Sequence, residues 1–451
     1  MLLSFSVSNF RSFDGEQTFS LVASNRLSTS PERHTVAIPN SDDRALRTGV
    51  IYGANGAGKS NLFKALRLLK TIATSTRNKD ARIRREAFRF GSGPEKPTVL
   101  DLQFLVDDQV YRYGVKLDDT QVLEEWLARV SRGNEHVLYE RRVGSKGDVQ
   151  VELGKIPDAD EKFKALALIG GPRNQSFLET VFSTLELSSV PAEIRSVSIW
   201  FYMVLRLVSP RNSSKSLGKR FAADPGLLGF AGKFLKSSST GIEHLAFFST
   251  PLTEDEFLAL VPENVLPDQT RLSEGDSWEH ALPDGDVVKV QKNGGTKYFK
   301  LRLQAAHQAD SGQMVPLDIA EESDGTRRLL ELIPVLDALK LPDMVYFIDE
   351  VDRSLHPMLV RNFLESFLTS SRDSNRQLIM TTHESSLLDQ DLLRRDEIWF
   401  AEKDSAGATR LYSLLDFKIR NDLEIRKHYL QGRFGAVPFL GDASRLMEGN
   451  G

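Results

Sequence analysis

VIYGANGAGKSNL, residues 50–62, passes from a short apolar run through a glycine-rich loop into a helical pattern. Gly53-Ala-Asn-Gly-Ala-Gly58-Lys59-Ser60 fits G-x-x-x-x-G-K-[ST] in full, and it lies between strand and helix as that motif requires. The glycines let backbone N–H groups of Gly53, Asn55, Gly56, Ala57 and Gly58 point inward at nucleotide phosphates, and the helix N-terminus adds partial positive charge. Lys59 places a full charge there, Ser60 offers a hydroxyl to Mg²⁺, and Asn61 follows at the helix start. A chance glycine turn before a helix is the bland reading, and the complete match in its proper setting outweighs it. ATP with Mg²⁺ is the expected ligand.

Such a loop needs a metal-side carboxylate at the end of a second apolar strand. MVYFIDE, residues 344–350, supplies one: Asp349 is placed to hold Mg²⁺, and Glu350 to polarise an attacking water as general base. Some thirty residues on, LIMTTHESS puts His383 at the end of another apolar strand. Parallel strand ends converge on one edge of a sheet, so His383 is expected beside the phosphates. A lone histidine is usually structural; this placement favours function. Ser323-Asp-Gly325 opens a helix just before the second strand, either as a further anion cradle or as a simple capped start.

The chain has 451 residues, 40% of them hydrophobic and 27% charged, which is ordinary for a globular protein with a large core. A formal charge of -4 argues against a protein that coats nucleic acid by charge alone, though it leaves room for a local basic groove. There is no cysteine, so disulfides, thiolate zinc sites and cysteine nucleophiles are excluded. The N-terminus does not read as a signal peptide, and the apolar run VSIWFYMVLRLVSP (197–210) is too short for a span and interrupted by Arg206. A cytoplasmic protein without a membrane partner is expected.

The start alternates in period two and reads as a strand, with QTFSLVA as a second. Residues 24–47 read as an exposed loop, and 98–153 as an antiparallel β lobe. After 340, strands alternate with helices, which implies a parallel sheet. The expected fold class is α/β, divided into an N-terminal part with P-loop and β lobe (1–153), a mainly helical insertion (154–295) and a C-terminal part (296–451).

The order of these motifs resembles the ABC-type ATPase head, and more narrowly the branch holding SMC proteins, RecF and OLD-type nucleases. The matching residues are NFRSF (9–13), GANGAGKSN (53–61), SDGTRRLL (323–330), YFIDEVDRSLHP (346–357) and TTH (381–383). The resemblance implies ATP hydrolysis at head-to-head interfaces in a homodimer or higher oligomer. Ser323 and Gly325 would then contact ATP in trans, Asp352 would cross the dimer interface, and Arg11 would approach the phosphates from the N-terminal lobe. The signature departs from the fuller LSGGQ, and the glutamine that senses Mg²⁺ in such heads has only Gln175 as a candidate. The C-terminal stretch FKIRNDLEIRKHYLQGRFGAVPF (417–439) is similar to the close of stand-alone ATPases from bacterial defence operons, RloA-like proteins and AriA of the PARIS anti-phage system among them. That implies an abortive-infection sensor or scaffold controlling a separately encoded, nuclease-like effector in response to a phage-derived trigger. A RecF-like DNA-repair ATPase is the alternative, with DNA taken by Arg82, Arg84, Arg85 and Arg89 or by Arg420, Arg426 and Lys427. A nucleotide-dependent interaction module without hydrolysis is a third reading, disfavoured by Glu350 and His383.

Overall fold

The computed structural model describes residues 1–27, 32–78, 80–210, 217–267, 272–337, 343–372, 374–420 and 423–437. The chain forms two compact units, one from Met1–Pro210, Leu341–Val351 and Leu364–Gly451, the other from Arg211–Lys340 and Asp352–Phe363.

In chain order the first unit begins with β1 (Leu2–Ser8), β2 (Gln17–Ser20), β3 (Thr35–Ala37), β4 (Arg44–Leu46), β5 (Thr48–Tyr52) and helix α1 (Lys59–Thr74). It continues through β6 (Thr98–Val106), β7 (Gln109–Leu117), β8 (Val122–Ser131), β9 (Asn134–Val143) and β10 (Val149–Leu153) to helices α2 (Glu161–Ile169), α3 (Phe177–Thr184) and α4 (Ala192–Ile199), then β11 (Leu205–Val208). The second unit holds α5 (Leu217–Ala223), α6 (Pro225–Ser237), β12 (Ile242–Leu252), α7 (Glu254–Leu260), β13 (Ser277–Ala281), β14 (Val287–Lys292), β15 (Thr296–Gln308), β16 (Met314–Asp318) and α8 (Asp324–Leu336). The remaining elements are β17 (Val345–Ile348), α9 (Pro357–Ser370), β18 (Gln377–Thr381), β19 (Ile398–Lys403), β20 (Thr409–Ser413) and α10 (Ile425–Leu430).

Two sheets organise the first unit. The antiparallel one runs β10-β9-β8-β7-β6-β1-β2, the expected lobe extended by the two N-terminal strands. The other runs β11-β17-β18-β5-β19-β20, parallel except where β20 returns against β19. Every residue of β5, β17 and β18 is buried, which is why their sequences read as continuous apolar runs rather than alternating ones. Helix α1 buries Leu62, Phe63, Leu66 and Leu69, with the Phe63 ring edge-on to Phe347 at 5.4 Å. The fully buried Gln377 links the two sheets: its amide accepts from Leu2 N at 2.7 Å and donates to the carbonyls of Leu2 (2.9 Å) and Leu46 (2.7 Å).

The apolar run 197–210 ends α4, passes through a π-helical turn at Trp200–Val204 and becomes β11 beside β17. Among the described residues no helix is long and apolar enough to cross a membrane.

Two expectations change in detail. The described part of 24–47 is not simply an exposed loop: β3 and β4 pair, and Ala45 and Leu46 are fully buried. The insertion 154–295, expected to be mainly helical, carries strands beside its helices. Helices α2–α4 contribute Phe163, Phe177, Val181 and Ile194 to the first unit's core, whereas β12, β13 and β14 join β15 in the second unit's antiparallel sheet. Pairing with the 13-residue β15 outweighs local propensity there. Helix α8 ends as described at Leu336, with Pro334 inside it, and 338–340 lie outside the described residues. So do 421, 422, 438 and 439 of the C-terminal stretch, while 425–430 form α10.

One buried carboxylate holds the helical part of the first unit onto the β lobe. Glu125 accepts from the hydroxyls of Tyr113 (3.2 Å) and Tyr139 (2.7 Å), and from the first N–H groups of α3 at Phe177 (2.5 Å) and Leu178 (3.1 Å). Burial, and then the Glu125 charge, raises both tyrosine pKa values well above the ordinary phenol. Glu125→Ala would orphan four buried donors, so its expected cost is about 3 kcal/mol or more. Thermal unfolding of the variant should show a lowered midpoint, and Glu125→Gln, which keeps an acceptor, should lose less.

Candidate functional site

The register of the parallel sheet builds the site. Ile348 pairs with Met380, Met380 with Val50, and Val50 with Ile398. The carboxyl ends of β5, β17 and β18 therefore reach one edge together. There the chain leaves β5 into the glycine loop, β17 into Asp349–Glu350 and β18 into Thr382–His383.

The glycine loop runs from Gly53 to Gly58, with α1 starting at Lys59. A β-carbon on Gly53 would collide with the Ala401 carbonyl of β19, so only glycine fits there. Gly58 has φ +110 and stands where a β-carbon would collide with Thr409 Oγ1. Asn55 and Gly56 are exposed at the loop's tip, while Ala57 and Gly58 are buried. Lys59 is only 5% exposed, and its ammonium donates to the carbonyls of Gly53 (2.6 Å) and Ala54 (3.2 Å). It also lies 3.3 Å from His383 Nδ1. Lysine has donors only, so that imidazole nitrogen accepts and the ring proton belongs on Nε2.

Asp349 is buried, and its Oδ1 accepts from Thr381 Oγ1 at 2.7 Å. The same Thr381 oxygen accepts from Glu350 N at 2.8 Å. One hydroxyl thus fixes both members of the acidic pair from the neighbouring strand. Glu350 adopts φ +49, a left-handed conformation rarely held by a residue with a side chain. Serine hydroxyl and carboxylate are hard oxygen donors of the kind Mg²⁺ takes alongside phosphate and water, so Ser60 and Asp349 suit that ion.

Sequence reading missed several participants. Thr381 stands within the TTH stretch, with no role of its own to be read there. Ser12, within the NFRSF motif, receives a hydrogen bond from Asn61 Nδ2 at 2.8 Å and lies 2.7 Å from Thr409 Oγ1. Asn61 thus turns its amide toward the N-terminal turn. Arg11 pairs with Glu86, its Nε 2.6 Å from Oε2, and Arg11 N donates to the Glu86 carbonyl at 2.7 Å. Gln175 is buried, accepting from Arg77 N (2.9 Å) and donating to Thr180 Oγ1 (3.1 Å), so both ends of its amide are engaged in packing.

Ser323, Gly325 and Asp352 belong to the second unit. Ser323 caps α8, its Oγ accepting from Thr326 N at 3.1 Å, and a β-carbon on Gly325 would stand 2.7 Å from the Ser354 carbonyl. Ser323 thus caps its helix, and the glycine serves a close approach to the loop after Asp352.

A basic cleft of about 330 Å³ opens on the outer side of α1. Lys64, Arg67, Arg77, Arg82, Arg84 and the paired Glu86 line it. Among the described residues none of the five cations forms an ion pair, and burial lowers the pKa of Lys64 (with the Arg11 charge second) and of Arg77. Arg85 is not available to the cleft: it is buried, with Nε 3.1 Å from Asp119 and a terminal nitrogen 2.7 Å from the Pro94 carbonyl. Arg89 is exposed outside the cleft lining.

Residues 50–389 match the family described as "AAA domain, putative AbiEii toxin, Type IV TA system". No curated protein matches the sequence significantly. Among solved structures, the SMC head domain from Thermotoga maritima aligns at 12% identity and a TM-score of 0.39, covering 93% of this chain and 99% of that one. The SmcHead bound to the C-winged helix domain of ScpA aligns at 15% and 0.40, covering 91% and 97%. The Smc head with an extended coiled coil, bound to the C-terminal domain of ScpA from Pyrococcus furiosus, aligns at 14% and 0.39, covering 91% and 96%. At those values no residue role passes from them to this chain.

Proposed function

The chain belongs to this AAA-domain family, whose match spans both the glycine loop and the Asp349–Glu350 strand, and from that premise we propose that it is a Mg²⁺-dependent ATPase working at head-to-head interfaces. The observation that carries the proposal is the convergence at one sheet edge of Lys59, His383 and the Thr381-held acidic pair.

In this reading Lys59 exchanges the Gly53 and Ala54 carbonyls for the β- and γ-phosphate oxygens of ATP, and backbone N–H groups from Gly53 to Gly58 complete the cradle. Mg²⁺, when bound, neutralises charge on those oxygens; Ser60 and Asp349 are the side chains that hold it. Glu350, fixed at its backbone by Thr381, takes the proton of the attacking water. His383, beside Lys59, reaches the γ-phosphate end. Arg11 leaves Glu86 to approach the phosphates, and Ser323 and Gly325 reach the ATP of a second head, whose interface Asp352 crosses. The family description names a putative toxin of a type IV toxin–antitoxin system. Together with the defence-ATPase resemblance, it supports a cytoplasmic sensor or scaffold that restrains a separately encoded, nuclease-like effector until a phage-derived trigger arrives.

A second reading, a DNA-handling ATPase, is favoured by the basic cleft beside α1. Its unpaired cations are of the kind that track a phosphodiester backbone.

Lys59→Ala is expected to abolish ATP binding, measured with a fluorescent nucleotide. Glu350→Gln should bind ATP without turning it over, and light scattering should record an ATP-dependent rise in mass. A Glu350→Gln protein that hydrolyses ATP normally would sink the general-base assignment. For the second reading, duplex DNA affinity should fall steeply with salt, and Arg82→Ala/Arg84→Ala should flatten the log–log slope by roughly 2. Affinity indifferent to salt and to both substitutions would leave the cleft without a nucleic-acid role.

A further inference from the structure

The hydroxyl of Thr409, at the start of β20, reaches the glycine loop from outside the three motif-bearing strands. It is 1% exposed and lies 2.8 Å from the Ala57 carbonyl and 2.7 Å from Ser12 Oγ, while Asn61 Nδ2 stands 2.8 Å from that same Ser12 oxygen. Each hydroxyl has one proton, and a carbonyl only accepts. Asn61 Nδ2 and Thr409 Oγ1 both donate to Ser12 Oγ, and the Thr409 hydroxyl shares its proton between that oxygen and the Ala57 carbonyl. Thr409 N also donates to the Ser12 carbonyl at 2.7 Å, so hairpin and turn are joined by backbone as well.

The Ala57–Gly58 peptide is planar, with its carbonyl and N–H pointing in opposite directions. Drawing the Ala57 carbonyl outward to Thr409 turns the Gly58 N–H to the other side. Among the described residues that N–H donates to no protein acceptor. Gly58 is confined further, since a β-carbon there would stand 2.9 Å from Ser12 Oγ and collide with Thr409.

We propose that Thr409, through a relay from its hydroxyl to the Ala57 carbonyl and so to the Ala57–Gly58 peptide, is a positioning residue that presets the Gly58 N–H for nucleotide phosphate and couples the β19–β20 hairpin to nucleotide affinity. The proposal rests on the ATP site described above. The relay touches no reacting atom. It acts on a backbone donor shared by ATP and ADP, so its signature is a parallel change in affinity for both.

The test compares wild type, Thr409→Val, Thr409→Ser and Ser12→Ala by titration with fluorescent MgATP and MgADP, by turnover at saturating ATP, and by circular dichroism without nucleotide. Thr409→Val, nearly isosteric but lacking the hydroxyl, should weaken both nucleotides about three- to tenfold, the worth of one hydrogen bond. Its turnover at saturation should stay close to wild type, Ser12→Ala, which leaves the Thr409–Ala57 bond in place, should change affinity less than Thr409→Val, and Thr409→Ser should restore affinity. Wild-type affinity in Thr409→Val, or a loss that serine fails to restore, would overturn the relay while leaving the ATP site standing. So would a loss accompanied by an altered nucleotide-free spectrum, which would make Thr409 a fold residue. A wild-type chain that binds neither nucleotide would remove the ATP site and the relay with it.

Discussion

Register between three parallel strands is the constraint on which the site depends. β5, β17 and β18 are joined so that Ile348, Met380 and Val50 lie in one row, and each strand then releases its functional loop within a residue or two of that row. A slip of one residue would shift a loop by about 3.3 Å and send every side chain to the opposite face. The fully buried strands resist such a slip because both faces carry apolar side chains packed against other layers. The hydrogen bonds of Thr381 to the acidic pair exist only in this register, so the sheet and the site specify each other.

Much of this was legible in the sequence, for a physical reason. A glycine loop needs φ angles and close approaches that only glycine supplies, so it leaves a fixed spacing at positions 53, 56 and 58. The buried parallel strands leave unbroken apolar runs ending in Asp349–Glu350 and in His383. Side-chain partners brought together by tertiary structure leave no such trace. Thr381 and Ser12 lie in quoted motifs but their partners could not be read there, and Thr409, in no motif, lies 397 positions from its partner Ser12. The basic cleft was only partly visible for the same reason. Arg82 and Arg84 sit in a conspicuous charge run, but Lys64 and Arg67 come from the outer face of α1, and Arg85 from the same run is buried against Asp119.

Backbone strain recurs beside the glycine loop and the basic cleft, as it does in several turns elsewhere in the chain. Glu350, Arg11 and Glu86 all occupy left-handed backbone conformations that carry a cost for residues with side chains. Arg11 and Glu86 face each other through both backbone and side chain, so the N-terminal turn is pinned at the rim of the basic cleft while the adjacent Ser12 is pinned to the glycine loop. One short turn therefore lines the cleft with Phe10 and meets the glycine-loop network through Ser12.

The central position of β5 has a consequence for synthesis. β5 precedes most of the sequence, yet its neighbours on either side are β18 and β19, and Thr48 Oγ1 meets the Leu378 carbonyl across a separation of 330 residues. Translation at about 5–20 residues per second leaves an interval on the order of tens of seconds between the two. Throughout that interval the nascent chain carries a glycine loop whose supporting strands have not left the ribosome. The setting of the glycine loop is thus a late product of folding, completed only after the β19–β20 hairpin emerges, and unfinished chains carry the motif without its architecture.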